Sequence, residues 1–385
     1  MLKEYFMAGN VVVVGAGLSG AVVARYLAEK NYQVKVLEKR AHIAGNMYDY
    51  EDDHGFLVQK YGPHTFHTVK KDLYEYMCHY EDWKDYKLTC GAVWGGKYTP
   101  TPFNFTTIDT FYPEKEAEEL KKHLREAFKG RSTATVVEVL GNEDPLVREY
   151  AEFLFRNDYA PYTAKQWGVS PEKIDPSVLT RVPLRFSYDT GYFDDPYQVM
   201  PVHSFTRFFE NLLHHPNIHV ELGQDALKRL EIKDNQVMVD GRLFDGLVVY
   251  TGPIDELFHL QYGKLPYRSL KFEWKYSDKD SVQNAPVVAY PQEKGFTRIT
   301  EYKKLPMQDK PGSSYAVEYP LPYEEGKDME PYYPVLTKES QEQYTKYKEL
   351  ADQVPHLICC GRLADFKYYN MDQALERALD ICQKL

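Results

Sequence analysis

The feature that most constrains this chain is Gly15-Ala16-Gly17-Leu18-Ser19-Gly20, set directly after the valine run at 11–14. Glycines at this spacing let a backbone turn sharply from strand to helix, approach a ligand closely and pack the helix on its sheet. The free N–H groups at the helix start then face an anion. A helical pattern over 18–30 and a second strand over 33–37 follow. Glu38 closes the unit about 20 residues after the turn, where a carboxylate accepts from ribose hydroxyls. Strand, turn, helix and strand form a β-α-β unit, so the expected fold class is α/β with a Rossmann-like dinucleotide-binding domain. An acidic residue at 38 repels the extra phosphate of NADP. No second GxGxxG marks a nicotinamide domain.

The continuation Lys39-Arg40-Ala41-His42-Ile43-Ala44-Gly45-Asn46 resembles the stretch after the second strand in flavoproteins of the glutathione-reductase-like and amine-oxidase-like type. It implies FAD, with Gly45 letting the chain pass close to the cofactor. A strand at 357–360 leads to the turn Gly361-Arg362, and a helix is expected from Met371 to the C-terminus with Asn370 as its N-cap. The positive end of that helix would face the flavin pyrimidine.

Elsewhere, residues 111–155 carry a helical period and read as an inserted helical domain. Short β-branched or aromatic runs at 91–99, 184–188, 270–276, 285–290, 298–302 and 315–319 point to an antiparallel sheet. Strand patterns at 219–222, 236–239 and 247–250 indicate a first domain whose chain leaves and returns, and 319–334 reads as a loop before the final helix. The expected division is a discontinuous FAD-binding domain (10–68, 200–265 and 350–385), a helical domain with a mobile flap after it (108–175), and a substrate domain (69–107, 176–199 and 266–349). The opening ten residues read as an extension or tag remnant rather than a secretion signal.

A formal net charge of -10 argues against a nucleic-acid surface, and no apolar run approaches a membrane span. Five cysteines without CxxC spacing fit a reducing, cytoplasmic setting, and the adjacent Cys359 and Cys360 read as small packing residues. His64 and His67 stand three apart with no third ligand, so no metal site is expected. The 33 tyrosines exceed what packing alone calls for and suit a site that stacks on bases, sugars or a flavin.

Several further strings carry a family resemblance: Lys60-Tyr61-Gly62 through His67-Thr68; Tyr162-Thr163 with Lys165-Gln166-Trp167-Gly168; Arg185-Phe186; Tyr192-Phe193; Tyr250-Thr251-Gly252; Arg298; Glu330-Pro331-Tyr332-Tyr333; and Gly361-Arg362 with Lys367-Tyr368-Tyr369. Together they closely resemble the prokaryotic UDP-galactopyranose mutases, from Val11 to Gln383. The resemblance implies an isomerase that interconverts UDP-galactopyranose and UDP-galactofuranose through a covalent sugar adduct at N5 of reduced FAD, in synthesis of cell-surface glycan precursors. It also implies an external flavin reductant and a homodimer. By the same resemblance Arg185 and Arg298 hold the diphosphate, and Tyr162, Tyr192 and Phe193 form the uracil slot. Trp167 lies near the sugar, while Tyr332 or Tyr333 and Tyr368 donate to phosphate oxygens. His64 and His67 lie by the flavin and sugar. Cofactor contacts fall to Gly15, Gly17, Leu18, Ser19, Gly20, Glu38, Lys39, Arg40, Gly45, Asn46, His64, Gly252, Gly361, Arg362, Tyr369, Asn370 and Met371. Three positions depart from the family pattern: Ala44 and His203-Ser204 replace glycines, and Asn370 replaces Asp. His203 is expected where the chain nears the cofactor. The competing readings are an FAD-dependent oxidoreductase of the amine-oxidase-like superfamily and a non-catalytic nucleotide-sugar binding protein.

Overall fold

The computed structural model describes residues 9–168, 170, 182–324, 327 and 329–385. Most of the expected N-terminal extension, the last part of the helical segment to 175, and the first flap residues with Arg181 lie outside the described residues. The valine run forms the strand Asn10–Val14, the middle of a five-stranded parallel sheet. Its order is Ile218–Leu222, Gln33–Glu38, Asn10–Val14, Leu247–Tyr250, Leu357–Cys359. Successive residues of a strand face opposite sides, so Val11 and Val13 enter one apolar core and Val12 the other. The first core is built with the helices Leu18–Glu29, Phe205–Leu213 and Met371–Lys384, and the second with Ile254–Leu257 and Lys338–Asp352. Cover on both faces is what makes such strands almost wholly apolar.

Gly15 has φ +100°, and a Cβ on Gly20 would lie 2.1 Å from the Gly15 carbonyl oxygen. The turn therefore requires glycine at both places.

The second sheet has seven strands, in the order Tyr333–Pro334, Tyr267–Ser277, Ser313–Pro322, Arg298–Glu301, Val287–Ala289, Cys90–Trp94, Lys97–Thr101. It is not purely antiparallel as expected, because Val287–Ala289 runs parallel to Cys90–Trp94. The long excursion of chain between these two strands permits that direction, which a hairpin could not. Residues 236–239 do not join the parallel sheet. They belong to a separate three-stranded sheet whose first hairpin turns at Asp234 and Asn235, both at positive φ. The expected loop at 319–334 is partly strand, and the helix Lys338–Asp352 stands between it and the final strand. At 184–188 only Leu184–Arg185 pairs, with Thr133–Ala134.

The helical region has its own core of Ile108, Leu120, Leu124, Val147 and Leu154 around Trp94 and Phe103. Its last helix, Pro145–Leu154, passes through a π-turn, Phe155–Tyr159, into Ala160–Trp167. Pro161 lacks an N–H and crowds the preceding turn, and the wider π-turn accommodates it.

Candidate functional site

Two connected spaces lie where the two sheets and the helical region meet. The first is a groove of about 620 Å³ at the ends of the parallel strands. It is lined by Gly15, Gly17, Leu18, Ser19, Gly20, Glu38, Lys39, Arg40, Gly45, Asn46, His64, Gly252, Gly361, Arg362, Asn370 and Met371. Of the expected cofactor residues, Tyr369 alone is absent from the lining. It is buried, and its hydroxyl donates to Asp365 at 3.2 Å. Tyr369 therefore serves the support of the groove, not its surface.

The groove is shaped by backbone. Each oxygen of Glu38 accepts one N–H, from Ala16 and from Arg40, both at 2.8 Å, which leaves lone pairs free toward the groove. Ala44 N–H donates to the Ala16 carbonyl at 3.0 Å, so two loops run in contact, and a Cβ on Gly45 would come within 2.8 Å of the Gly17 Cα. Only bare backbone fits there. Arg40 pairs with Glu330 at 3.0 Å, donates to Asn46 at 2.9 Å and lies 4.1 Å from the Tyr61 ring centroid. The Asp365 carboxylate accepts from the Gly361 N–H at 3.0 Å and takes a two-pronged contact from Arg377, both at 3.1 Å. It thus ties the Gly361 turn to the final helix. His203 does not approach the groove as expected. It is mostly exposed and pairs with buried Glu81 at 2.7 Å, while Ser204 accepts from the Arg207 N–H and caps the helix Phe205–Leu213.

The second space is a cleft of about 340 Å³, within the range of small-molecule sites. His64, Asn46, Tyr332, Arg362, Asn370 and Met371 line both spaces, so the groove opens into the cleft at the start of the final helix. Tyr162, Trp167, Tyr192, Phe193, Arg298, Tyr332, Tyr333, Tyr368, His64 and His67 all line the cleft. Trp167 lies 5.0 Å from Tyr333 and 6.0 Å from Tyr368, ring centre to ring centre. The helix bearing Tyr162 and Trp167 is pinned at its end. Lys165 donates to the carbonyls of Tyr290, Glu293 and Phe296, and Arg268 donates to the carbonyls of Gln166 and Lys165.

Arg298 donates through Nε to Glu318 at 2.8 Å, and Glu318 is 1% exposed. Burial opposes the guanidinium charge, but the carboxylate beneath more than offsets it and holds Arg298 above its usual range. Its two terminal nitrogens have no hydrogen-bond partner among the described residues and remain for a ligand. His64 is held down to about 4, by burial and then by Arg362, so it is neutral in the site. His67 stacks on Phe193 with ring centres 3.5 Å apart and contacts Asp195 at 3.1 Å. Burial pushes the Tyr162 phenol up, which keeps it a neutral donor.

Arg185 departs from expectation. It is 6% exposed, is not part of the cleft lining, and points Nη1 at Asp194, 2.6 Å away. Its Nε is buried with no partner among the described residues. Sequence reasoning missed Asp158 and gave no role to Tyr61 and Gln166, although their strings were part of the resemblance; all three line the cleft. The spacing held a signal for two of them: Asp158, Tyr162 and Gln166 are four apart and share a helix face. Cys359 and Cys360 are buried, and burial raises the Cys359 thiol to about 12, which suits packing rather than reactivity. No helix among the described residues is long and apolar enough to cross a membrane.

Residues 157–368 match the family model described as UDP-galactopyranose mutase, and residues 13–80 match an NAD(P)-binding Rossmann-like domain. The chain is 33% identical to the dTDP-fucopyranose mutase of Escherichia coli over 377 residues, covering 97% of each. It is 34% identical to the UDP-galactopyranose mutase of Mycoplasma genitalium over 384 residues, covering 98% of this chain and 94% of the relative. A crystal structure of reduced UDP-galactopyranose mutase superposes with a TM-score of 0.72 at 15% identity, covering 97% of this chain and 94% of that one. A putative protoporphyrinogen oxidase from Exiguobacterium shares the fold at a TM-score of 0.66 and 13% identity, covering 98% of this chain and 99% of that one. Fold alone therefore does not choose between isomerase and oxidase.

Proposed function

Since the chain belongs to the UDP-galactopyranose mutase family and is an isomerase, we propose that it interconverts UDP-galactopyranose and UDP-galactofuranose on reduced FAD. The observation that carries this reading is the junction of a backbone-walled dinucleotide groove with a cleft holding a ligand-ready arginine. The groove fits FAD: its walls come within side-chain-excluding contact at Gly17 and Gly45, Glu38 has lone pairs for ribose, and the helix starting at Met371 offers free N–H groups. Reduced FAD, when bound, supplies the nucleophile that forms a transient covalent bond to the anomeric carbon.

The residues of the chain do the rest. Arg298 holds the diphosphate as it departs, and its tie to Glu318 fixes the fork in advance, so no reorganisation is needed as charge develops. Tyr332 and Tyr333, kept neutral by burial, donate to phosphate oxygens together with Tyr368, while Tyr162, Tyr192 and Phe193 hold the uracil. Trp167 walls the sugar against Tyr333 and Tyr368. Neutral His64 orders the junction through its contact to the Gly62 carbonyl. Arg185 exchanges Asp194 for the diphosphate when the segment carrying it closes, which excludes water from the reacting sugar. The working unit is a homodimer reduced from outside, in the cytoplasm. A second reading is favoured by the dTDP-fucopyranose mutase relative: the same ring contraction on a thymidine-linked deoxyhexose.

Product analysis tests the reading. Dithionite-reduced holoprotein should convert UDP-galactofuranose to UDP-galactopyranose, and cyanoborohydride should trap a sugar on the flavin. Intact FAD with neither product nor trapped sugar would leave a binding protein or an oxidase. Arg298→Ala should lower turnover about 100-fold or more with FAD content unchanged. Equal loss of both would remove Arg298 from the substrate site.

A further inference from the structure

Asp158 is a cleft residue for which the chemistry above has no use. Its side chain lines the cleft from the π-turn and makes no hydrogen bond or ion pair with any described residue. Half-buried and without a protein partner, its carboxyl is open to a ligand that enters the cleft.

Its position along the cleft follows from its neighbours. Arg298 acts electrostatically on both His64, at the cofactor junction, and Tyr162. Tyr162 is one helical turn, about 5.4 Å, from Asp158. Asp158 also acts on Tyr162 and is not among the groups acting on His64, so it lies toward the Tyr162 end of the cleft, away from the cofactor junction. Around Asp158 the wall is largely aromatic. Phe103 meets Tyr159 edge-on with ring centres 5.6 Å apart, and the Tyr159 hydroxyl donates to the Val182 carbonyl at 2.9 Å. Tyr192 lines the same cleft and interacts with both Tyr159 and Tyr162. Aromatic rings beside an unpartnered carboxyl offer what a heterocyclic base needs, surface to lie against and a group to pair with its edge.

We infer that Asp158 selects the nucleobase of the substrate by pairing with the imide edge of a uracil or thymine, accepting its N3–H and donating to a flanking carbonyl oxygen. This rests on the nucleotide-sugar reading above and assigns the base end of that site. Pairing of this kind needs the neutral acid, and burial raises the Asp158 carboxyl to about 7, with Lys165 pulling the other way. The neutral acid is therefore well populated near pH 7, and the base that pairs with it favours that form further. Deleting one partner of a hydrogen bond in a desolvated slot leaves the other unpaired, which is where strong selectivity originates.

The probe is UDP against N3-methyl-UDP, which lacks the donor, bound to FAD-loaded protein and followed by calorimetry. The natural protein should prefer UDP by about tenfold or more. Asp158→Leu should reduce that preference to within about twofold, and Asp158→Asn, whose amide keeps one donor beside one acceptor, should retain most of it. No discrimination by the natural protein, or equal discrimination by natural protein and Asp158→Leu, overturns the role of Asp158. The first outcome needs no variant to fold. Running dTDP beside UDP identifies which of the two bases the slot accepts better. Failure to bind either nucleotide would instead overturn the nucleotide-sugar reading itself.

Discussion

Ala44 sits at φ 75° in the loop that runs against the glycine turn. The left-handed region crowds a Cβ, and only the hydrogen bond to Ala16 and the surrounding packing hold the residue there. Ala44→Gly should therefore raise stability by up to about 1 kcal/mol, the relief of strain exceeding the entropy that glycine loses on folding. Chemical denaturation with FAD bound checks this; a loss of stability would show that the methyl group's packing outweighs the strain. His64 gives a pH prediction. Its folded-state pKa lies near 4, against about 6.5 for a free imidazole. The unfolded chain takes up this proton first as pH falls, so His64 leaves stability unaffected above about 6.5 and lowers it progressively between 6.5 and 4. At pH 5 the loss is about 2 kcal/mol relative to pH 7.5. His64→Gln should flatten that part of the stability profile, and an unchanged slope would contradict a neutral, buried imidazole.

At the scale of elements, the final helix packs into the first apolar core and is tied to the Gly361 turn by one largely buried carboxylate. Asp365 receives the Gly361 N–H, the Tyr369 hydroxyl and both prongs of Arg377. Removing one partner of a buried pair leaves an uncompensated charge, typically about 3–5 kcal/mol. Because Arg377 is partly exposed, Arg377→Leu should cost less, about 2 kcal/mol, and should also weaken FAD retention, since the Gly361 turn loses its anchor. Fluorescence of released flavin against urea reports both effects. Loss of stability with unaltered FAD affinity would show that the helix keeps its aim without that tie. The helix carrying Tyr162 is a comparable case: Pro161 forces the π-turn, and the π-turn carries Asp158 and Tyr159 into the cleft lining.

At the scale of the whole molecule, the cleft is walled by segments remote in sequence, among them His64, Tyr162, Tyr192, Arg298, Tyr333 and Tyr368. Filling it should stabilise both sheets and the helical region together. UDP at about 100 times its dissociation constant should add about 2.7 kcal/mol to the FAD-loaded protein. In calorimetry the main transition should move up as a unit, and a second transition left unshifted would show that the helical region unfolds on its own.

What the sequence determined by itself is whatever depends on short spacings. The glycine turn, Glu38 at the end of the next strand, the final helix at Met371 and the valine-rich central strand were all legible, because strand and helix periods and backbone sterics act over a few residues. Resemblance to a known family added the cleft side chains Tyr162, Trp167, Arg298 and Tyr333, which spacing alone could not connect. Only the tertiary structure decided where side chains point when their partners lie far along the chain. It turned Arg185 toward Asp194, drew Tyr369 inward to Asp365, took His203 to Glu81 and brought Asp158 into the cleft. It also set Val287–Ala289 parallel to Cys90–Trp94. The reason is the same in each case: a charge or a strand edge is satisfied by whichever partner packing brings within reach, and no local pattern encodes that partner's identity.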